Sequence, residues 1–598
     1  MNKADLFVKA LLENDDKTIK SLWNDPDAIN NKDSSGNHPI ITAFHAGRDD
    51  VIERALKNGV DIETRDSRDM TLLHLCAMTG KKDLAKKLIM KSANINAMAQ
   101  GGFTPLMLAT TSCSLQVIDD LIAAGADINA VNEKGKNCLM LSIHLNLKNA
   151  AIKLIDNNIN LDYVNTGGDE EFALMEAVLT QRKEMFEIIL DGGANPNIQG
   201  KRGDTLMFTC INNDLIDYCD ILLKKDININ HQDEVGISAL LLAVSKGNMN
   251  LIEKFIAKGA DVNAVDMINN FPLSLAIKLN RDDIFEYLLK NDASLGPMGK
   301  NKTTALMVAA STGNVKMLKR LVEMGADINA QDKDGYSALM IAVQEGNGEI
   351  VEELLKLSPN LELSNKLGVT AFLLSVITGR EKCMTSLIDA KANIKAKSKD
   401  GNDAVLYASM SGGSKVLKKL LDLKLPCETT NIDGVFPMLA ACTHKSPDNI
   451  KLLKNAGANV DKLIKDETLL YKEVTRKCYP VFNALLECGA DPNFQSPKTG
   501  NTVLMQSICN GDQYMVKKMK KYNADFHLKN HNNDSTLTLA VKNGHKFLVK
   551  EILDNNVEVS HYNYDGMDAV SLAISGQSPE MVKMLGGIRG TGIINEGM

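Results

Sequence analysis

The chain has few side chains suited to binding nucleic acid. Aromatic residues make up 5% of its 598 residues, with a single tryptophan, Trp23, and the formal net charge is −7. Nucleic-acid bases stack on aromatic side chains, and their phosphates require basic surfaces. We therefore expect no nucleic-acid partner.

Cysteines are scattered rather than paired. There are eleven, an odd number, and no Cys-x-x-Cys motif occurs. Unpaired, scattered cysteines of this kind usually lie buried and pack as small apolar side chains. They are typical of proteins in a reducing compartment. No apolar run approaches the ~20 residues of a membrane span, and the N-terminus lacks the apolar core of a signal peptide. These absences predict a cytoplasmic protein without a membrane partner.

Signatures of catalysis are also missing. No Gly-x-Ser-x-Gly, His-Glu-x-x-His or Walker motif occurs among the residues. His527 and His531 are four residues apart, with His545 and His561 following, but no cysteine supports a zinc site. We predict no catalytic residue, cofactor or metal. An enzyme with an unrecognised site remains the alternative, and it would require a non-repeat segment long enough to fold.

One apolar position recurs along almost the whole chain. Most successive copies lie 33 residues apart. This period is typical of stacked supersecondary units. The copies are Ile40, Leu73, Leu106, Leu139, Leu174, Leu206, Leu240, Leu273, Leu306, Leu339, Phe372, Val405, Met438, Leu470, Leu504, Leu537 and Val570.

The sequence of a single unit predicts a turn, a first helix, a tight reversal and a second helix. In residues 331–360, a turn ends at Gly335, and Ser337 is placed to cap the first helix. Gly346 is suited to end that helix, and an apolar stripe starting at Ile350 marks the second. We predict a capping helical unit over 1–32, about 17 repeats of ~33 residues over 33–587, and a glycine-rich flexible tail over 588–598.

The repeat resembles the ankyrin repeat. Thr104-Pro105-Leu106 matches the start of its first helix, and Gly125 to Ala130 reads Gly-Ala-Asp-Ile-Asn-Ala. Similar segments follow at 259–264 and 325–330. The resemblance implies an all-α repeat solenoid of stacked helix-turn-helix repeats joined by β-turn fingers, with the repeats forming a curved superhelix.

The chain departs from the family after the recurring apolar residue, where a histidine is usual. Only His74 fits, and methionine takes its place at Met107, Met140, Met175, Met207, Met307, Met340 and Met505. These methionines are interpreted as core filling. A copper site is disfavoured because its ligands would lie one repeat apart.

The period slips in two regions, 165–204 and 461–500. The first contains a lengthened finger over 165–172 and a basic finger over 200–204, and the second has a weakened signature over 461–467. The slips are either binding specialisations or drift in a tolerant array. A basic cluster over 517–521 is interpreted as a solvated second-helix face, with an anionic partner as the alternative.

The family resemblance implies a non-catalytic scaffold or adaptor that binds a protein through its fingers and concave surface. The alternative is a viral, phage or bacterial effector that captures and inhibits a host protein, since the Lys-, Asn- and Ile-rich composition suggests an AT-rich genome. A monomer is favoured, although the sequence does not fix the oligomeric state. The candidate contact residues flank the turns: Arg65, Arg68, Phe103, Lys134, Lys136, Glu170, Glu171, Lys201, Arg202 and Tyr336.

Overall fold

A computed structural model of the chain describes residues 2–165, 171–200, 203–411 and 413–586. It divides into two compact units, Met1–Ala293 and Ser294–Met598. The first unit opens with three helices, α1 (Lys3–Glu13), α2 (Asp16–Leu22) and α3 (Pro26–Asn30). Among the described residues, no helix is both long and apolar enough to cross a membrane.

Helix pairs then follow one another through the first unit. Each pair has a first and a second helix joined by a tight reversal. The pairs are α4 (Pro39–His45) and α5 (Asp49–Lys57), α6 (Leu72–Thr79) and α7 (Lys82–Met90), α8 (Pro105–Thr111) and α9 (Leu115–Ala123), α10 (Cys138–His144) and α11 (Lys148–Asp156), α12 (Ala173–Leu179) and α13 (Lys183–Asp191), α14 (Leu206–Asn212) and α15 (Ile216–Leu223), α16 (Ala239–Lys246) and α17 (Met249–Ala257), and α18 (Pro272–Lys278) and α19 (Asp282–Lys290).

The second unit repeats the same arrangement. Its pairs are α20 (Ala305–Thr312) and α21 (Val315–Glu323), α22 (Ala338–Glu345) and α23 (Gly348–Lys356), α24 (Ala371–Ile377) and α25 (Glu381–Asp389), α26 (Ala404–Ser411) and α27 (Ser414–Asp422), α28 (Pro437–Thr443) and α29 (Pro447–Asn455), α30 (Leu469–Arg476) and α31 (Tyr479–Glu487), α32 (Val503–Cys509) and α33 (Gln513–Lys520), α34 (Thr536–Lys542) and α35 (Lys546–Leu553), and α36 (Ala569–Ser575) and α37 (Pro579–Gly586).

First helices begin at short polar caps. Ser337 Oγ accepts a hydrogen bond from Met340 N (3.3 Å), and Thr104 Oγ1 accepts one from Met107 N (3.3 Å). These bonds satisfy backbone N–H groups that have no partner within the helix. α22 ends at Gly346, whose φ of 82° suits a left-handed terminus. The sequence therefore predicts where this unit turns.

The recurring apolar residues form the core. All except Val570, in the last helix pair, are buried. Six of the seven methionines that follow them are buried too, and Met175 is half-buried. This burial agrees with the core-filling interpretation. Because each helix is too short to bury its apolar face alone, adjacent pairs complete one another's core.

The Gly-Ala-Asp-x-Asn-Ala segment joins neighbouring repeats. Asp127 Oδ1 accepts from Asn129 N (3.0 Å) and so closes its own turn. Asn129 Oδ1 in turn accepts from Asn160 N of the next repeat (2.9 Å), as Asn96 Oδ1 accepts from Asp127 N (2.9 Å). The asparagine of this segment is thus a brace between copies, which explains its recurrence in the sequence.

Fingers are short antiparallel turns that stack on their neighbours. Gln331 pairs with Ser337, and at the tip of the finger Lys366 N donates to Asp334 O of the preceding finger (2.8 Å). Gly335 lies between with a φ of +86°, and a Cβ there would stand 2.8 Å from Asn365 Cα. Glycine is therefore required both by its backbone conformation and by the close approach of the next finger.

Two irregular regions have distinct structures. Near 165 the finger is extended by two short strands, β1 (Val164–Asn165) and β2 (Glu171–Phe172), which pair antiparallel. Near 464 the finger is instead shortened: Ile464 pairs with Glu467 around two residues of positive φ, as in a two-residue hairpin turn.

Candidate functional site

Arg65 is engaged within the array. Its Nη1 donates to Asp69 O (3.2 Å), to Asp69 Oδ2 (3.0 Å) and to Met98 O of the next finger (2.8 Å). Gln331 makes the same pair of backbone contacts, to Gly335 O (2.6 Å) and Ser364 O (3.0 Å). Arg65 therefore occupies a position that braces two fingers, and part of its donor capacity is used internally.

Lys136 and Glu171 belong to a charge cluster between two helix pairs. Lys136 Nζ lies 3.0 Å from Glu176 Oε2 and 3.5 Å from Glu171 Oε2. Glu176 is buried, and its Oε1 lies 2.8 Å from His144 Nδ1. A buried carboxylate needs such partners. Lys136 therefore has a structural role in addition to any contact with a partner.

The remaining described candidates are more accessible. Arg68 and Lys134 are exposed, and Phe103 and Tyr336 are half-buried. The Arg68 guanidinium lies 3.6 Å from Asp66 Oδ2. All four lie on fingers, and their contact with a partner stays a prediction. Three further candidates, Glu170, Lys201 and Arg202, lie outside the described residues.

The His74 side chain forms hydrogen bonds within the array through both of its ring nitrogens. Thr71 N donates to Nδ1 (3.1 Å), which leaves Nε2 as the donor to Phe103 O of the next repeat (3.1 Å). The side chain is fully buried, and this burial lowers the pKa of His74 below its ordinary value. The neutral ring is therefore part of the core.

Exposed apolar fingertips form a surface that the sequence prediction missed. Met267 and Ile268 are 75% and 80% exposed, and Val235 on the preceding finger is 53% exposed. The two tips are adjacent, because Met267 N donates to Val235 O (2.9 Å). We call Val235, Met267 and Ile268 the apolar fingertips. The signal in the sequence was the presence of large apolar residues at turn positions that polar residues usually occupy.

Histidines considered for a metal site instead contact backbone carbonyl groups. His545 Nε2 lies 3.2 Å from Cys509 O, and His561 Nε2 lies 2.7 Å from Asn533 O. Within the described ranges, no group of three or more His, Cys, Asp or Glu side chains could hold a metal ion. All eleven cysteines are free thiols. Burial raises the pKa of the Cys138 thiol to about 12, so this thiol stays protonated at neutral pH.

Stacked helix pairs joined by fingers define a helical repeat protein. The family model for ankyrin repeats (3 copies) matches residues 6–99, 40–132, 106–200, 206–298, 273–365 and 504–591. The matches together cover more than half of the chain, which therefore belongs to the ankyrin repeat family. A search of curated proteins found no match. Ankyrin repeats are generally protein-interaction modules and typically non-catalytic.

Proposed function

We propose that the chain is a non-catalytic scaffold or adaptor that recognises a protein partner through its fingers. The apolar fingertips carry this proposal. The array uses the backbone of Val235 and Met267 to join two fingers, and their exposed side chains are not required for that contact. Adjacent exposed apolar side chains are typical of protein-binding surfaces.

The contribution of the apolar fingertips to affinity can be calculated from the side chains that a partner would bury. Met267 and Ile268 would lose most of their solvent exposure beneath a partner. Burying one such side chain contributes about 1.5–3 kcal/mol. Since binding also orders side chains and desolvates polar groups, we expect the double change Met267→Ser and Ile268→Ser to raise Kd by about 30-fold, or roughly 2 kcal/mol.

The test begins with capture of binding proteins on the immobilised full chain from a lysate of the source cells. The captured protein is then purified, and its Kd is measured for the unchanged chain and for the fingertip variant. Met90→Ser is the matched control, because Met90 is 77% exposed but lies on the second helix α7. Unchanged thermal melts by circular dichroism establish that each variant is folded.

Two results would overturn the proposal. One is the absence of any saturable protein partner, and the other is an equal Kd for the fingertip variant and the unchanged chain. Assaying the partner's activity with and without the chain separates an adaptor from an effector that inhibits its target. The proposal places the chain in the cytoplasm, where its free thiols would stay reduced.

A further inference from the structure

In one loop, a lysine stands where the preceding loops have a side chain that accepts a hydrogen bond from the next repeat. In the loops that precede it, Asn329 Oδ1 accepts from Asn360 N (2.8 Å), and Glu362 Oε1 accepts from Asn393 N (2.9 Å). Lys395 stands at the next equivalent position. An ammonium group can only donate hydrogen bonds. The side-chain brace that these loops share is therefore impossible at Lys395.

A pocket of about 340 Å³ opens beside this loop. It is bounded by the loop that follows α25 and by the loop that follows α27. Its apolar lining includes the half-buried Ile394 and the exposed Pro426, together with the buried residues Ala404, Val405 and Leu425. Three exposed lysines also line the pocket: Lys395, Lys397 and Lys424. We call it the lysine pocket.

The lining of the lysine pocket has three lysines and one acidic residue, Asp403, so its net charge is positive. Lysines on second helices commonly pair with the neighbouring second helix, as Lys183 does with Asp217 (2.8 Å). None of the three pocket lysines forms an ion pair with any residue that the structure describes. Of the nearby acids, Glu428 pairs with Lys462 (3.3 Å).

Asp403 lines the same pocket but is already satisfied. Its Oδ1 accepts from Leu406 N (2.9 Å) at the start of α26, and its Oδ2 accepts from Thr429 Oγ1. The carboxylate is also buried. Asp403 therefore stabilises the local fold, and the lysine ammonium groups remain available to an anionic group from outside the chain.

The lining favours a carboxylate on a peptide over nucleic acid. No aromatic residue lines the pocket, so it has no surface on which a base could stack. The accessible apolar residues Ile394 and Pro426 suit an aliphatic side chain between acidic neighbours. We propose that the lysine pocket binds an acidic segment of a protein partner that also carries an aliphatic side chain.

This inference rests on the proposed protein-binding function and can be tested without knowing the partner. The probe is a fluorescein-labelled synthetic peptide of alternating Asp and Glu residues with one central leucine. Binding to the full chain is measured by fluorescence anisotropy at low and at physiological salt. The same peptide with serine in place of leucine tests the apolar contact, and oligo-dT of equal charge tests nucleic acid.

The variant combines Lys395→Gln, Lys397→Gln and Lys424→Gln. We expect it to raise Kd of the leucine peptide about tenfold, because close charge pairs at an interface contribute to affinity. The matched control removes the same charge from the 517–521 cluster by changing Lys517, Lys520 and Lys521 to Gln. The leucine peptide should bind this control like the unchanged chain.

Several outcomes would overturn the inference: no binding of the leucine peptide, equal weakening by both triple variants, equal binding of the serine peptide, or preferential binding of oligo-dT. Failure of this inference can be distinguished from failure of the proposed function. If the pocket variant still binds the captured partner with unchanged Kd, the inference is wrong while the scaffold function stands. If no partner is captured but the peptide results hold, the pocket survives and the proposed partner binding at the apolar fingertips does not.

Discussion

Replacing His74 with methionine should lower the stability of the folded chain at neutral pH, and should lower it less at acidic pH. Methionine is the residue that this chain uses at the equivalent position of other repeats. At Met307, Sδ lies 3.4 Å from Thr304 N, so methionine can replace the histidine contact to the capping residue. His74→Met therefore removes chiefly the hydrogen bond from Nε2 to Phe103 O (3.1 Å).

At pH 7 the variant should be less stable by about 1 kcal/mol, the net contribution of one hydrogen bond. Phe103 O keeps its bond from Ala99 N (2.9 Å), so the change leaves no buried acceptor without a partner. The effect is local, because each helix pair contacts only its neighbours.

Acidic pH should reduce that difference. Burial lowers the pKa of His74 below its ordinary value of 6.5. Below pH 6.5 the unfolded chain therefore binds a proton that the folded chain does not, and stability is lost as the pH falls. One pH unit corresponds to about 1.4 kcal/mol, so the loss between pH 6.5 and 5 is at most about 2 kcal/mol. The methionine variant lacks this loss, so its stability should fall below that of the unchanged chain by less at pH 5 than at pH 7.

Hydrogen exchange measured by mass spectrometry reports local opening of α6 and α8 at both pH values, after correction for intrinsic exchange rates. His444→Met is the control, because His444 is exposed at the end of α28. Because His444 lies far along the chain from α6 and α8, this variant should leave their exchange unchanged at both pH values. A destabilisation by His74→Met that stays constant from pH 7 to pH 5 would refute the argument that a neutral buried ring braces this finger.

Three other substitutions test the structural roles assigned above. Lys136→Met leaves buried Glu176 without its lysine partner and should destabilise α10 and α12 by about 2 kcal/mol, seen as faster local hydrogen exchange; unchanged exchange would contradict the charge cluster. Arg65→Ala should cost about 1 kcal/mol, whereas Arg65→Gln should retain stability because Gln331 makes the same contacts; equal urea-induced unfolding of both variants would refute the brace. Leu339→Asp puts a carboxylate in a buried site and should lower the free energy of unfolding by roughly 4 kcal/mol or more. The loss should appear as protease cleavage near α22. Resistance to cleavage equal to that of the unchanged chain would contradict the assignment of Leu339 to the core.

The sequence could predict what repeats in every copy. Leu106 and its equivalents identified the core, and the three Gly-Ala-Asp-x-Asn-Ala segments identified the turn after the second helix of their repeats. Ser337 and Gly346 were predicted to lie at the two ends of one helix, and they flank α22. These features are local, because turn chemistry and helical spacing depend on residues close together in the chain.

Candidate contact residues were harder to predict. Arg65 and Lys136 look like free finger side chains, yet their acceptors, Met98 O and Glu176, belong to the next repeat. Val235 and Met267 are likewise far apart in sequence and adjacent at two fingertips. A period specifies a position within a unit, but it does not specify which side chain the neighbouring unit places against it.

By itself, then, the sequence determined the repeat, its core and its family. Only the tertiary structure decided which polar side chains are already satisfied and which remain available. It also brought Lys395 and Lys424 to one pocket. The physical reason is that stacking opposes residues about one repeat apart, and a side chain's hydrogen bonds and charge compensation depend on that neighbour, whose identity changes from copy to copy.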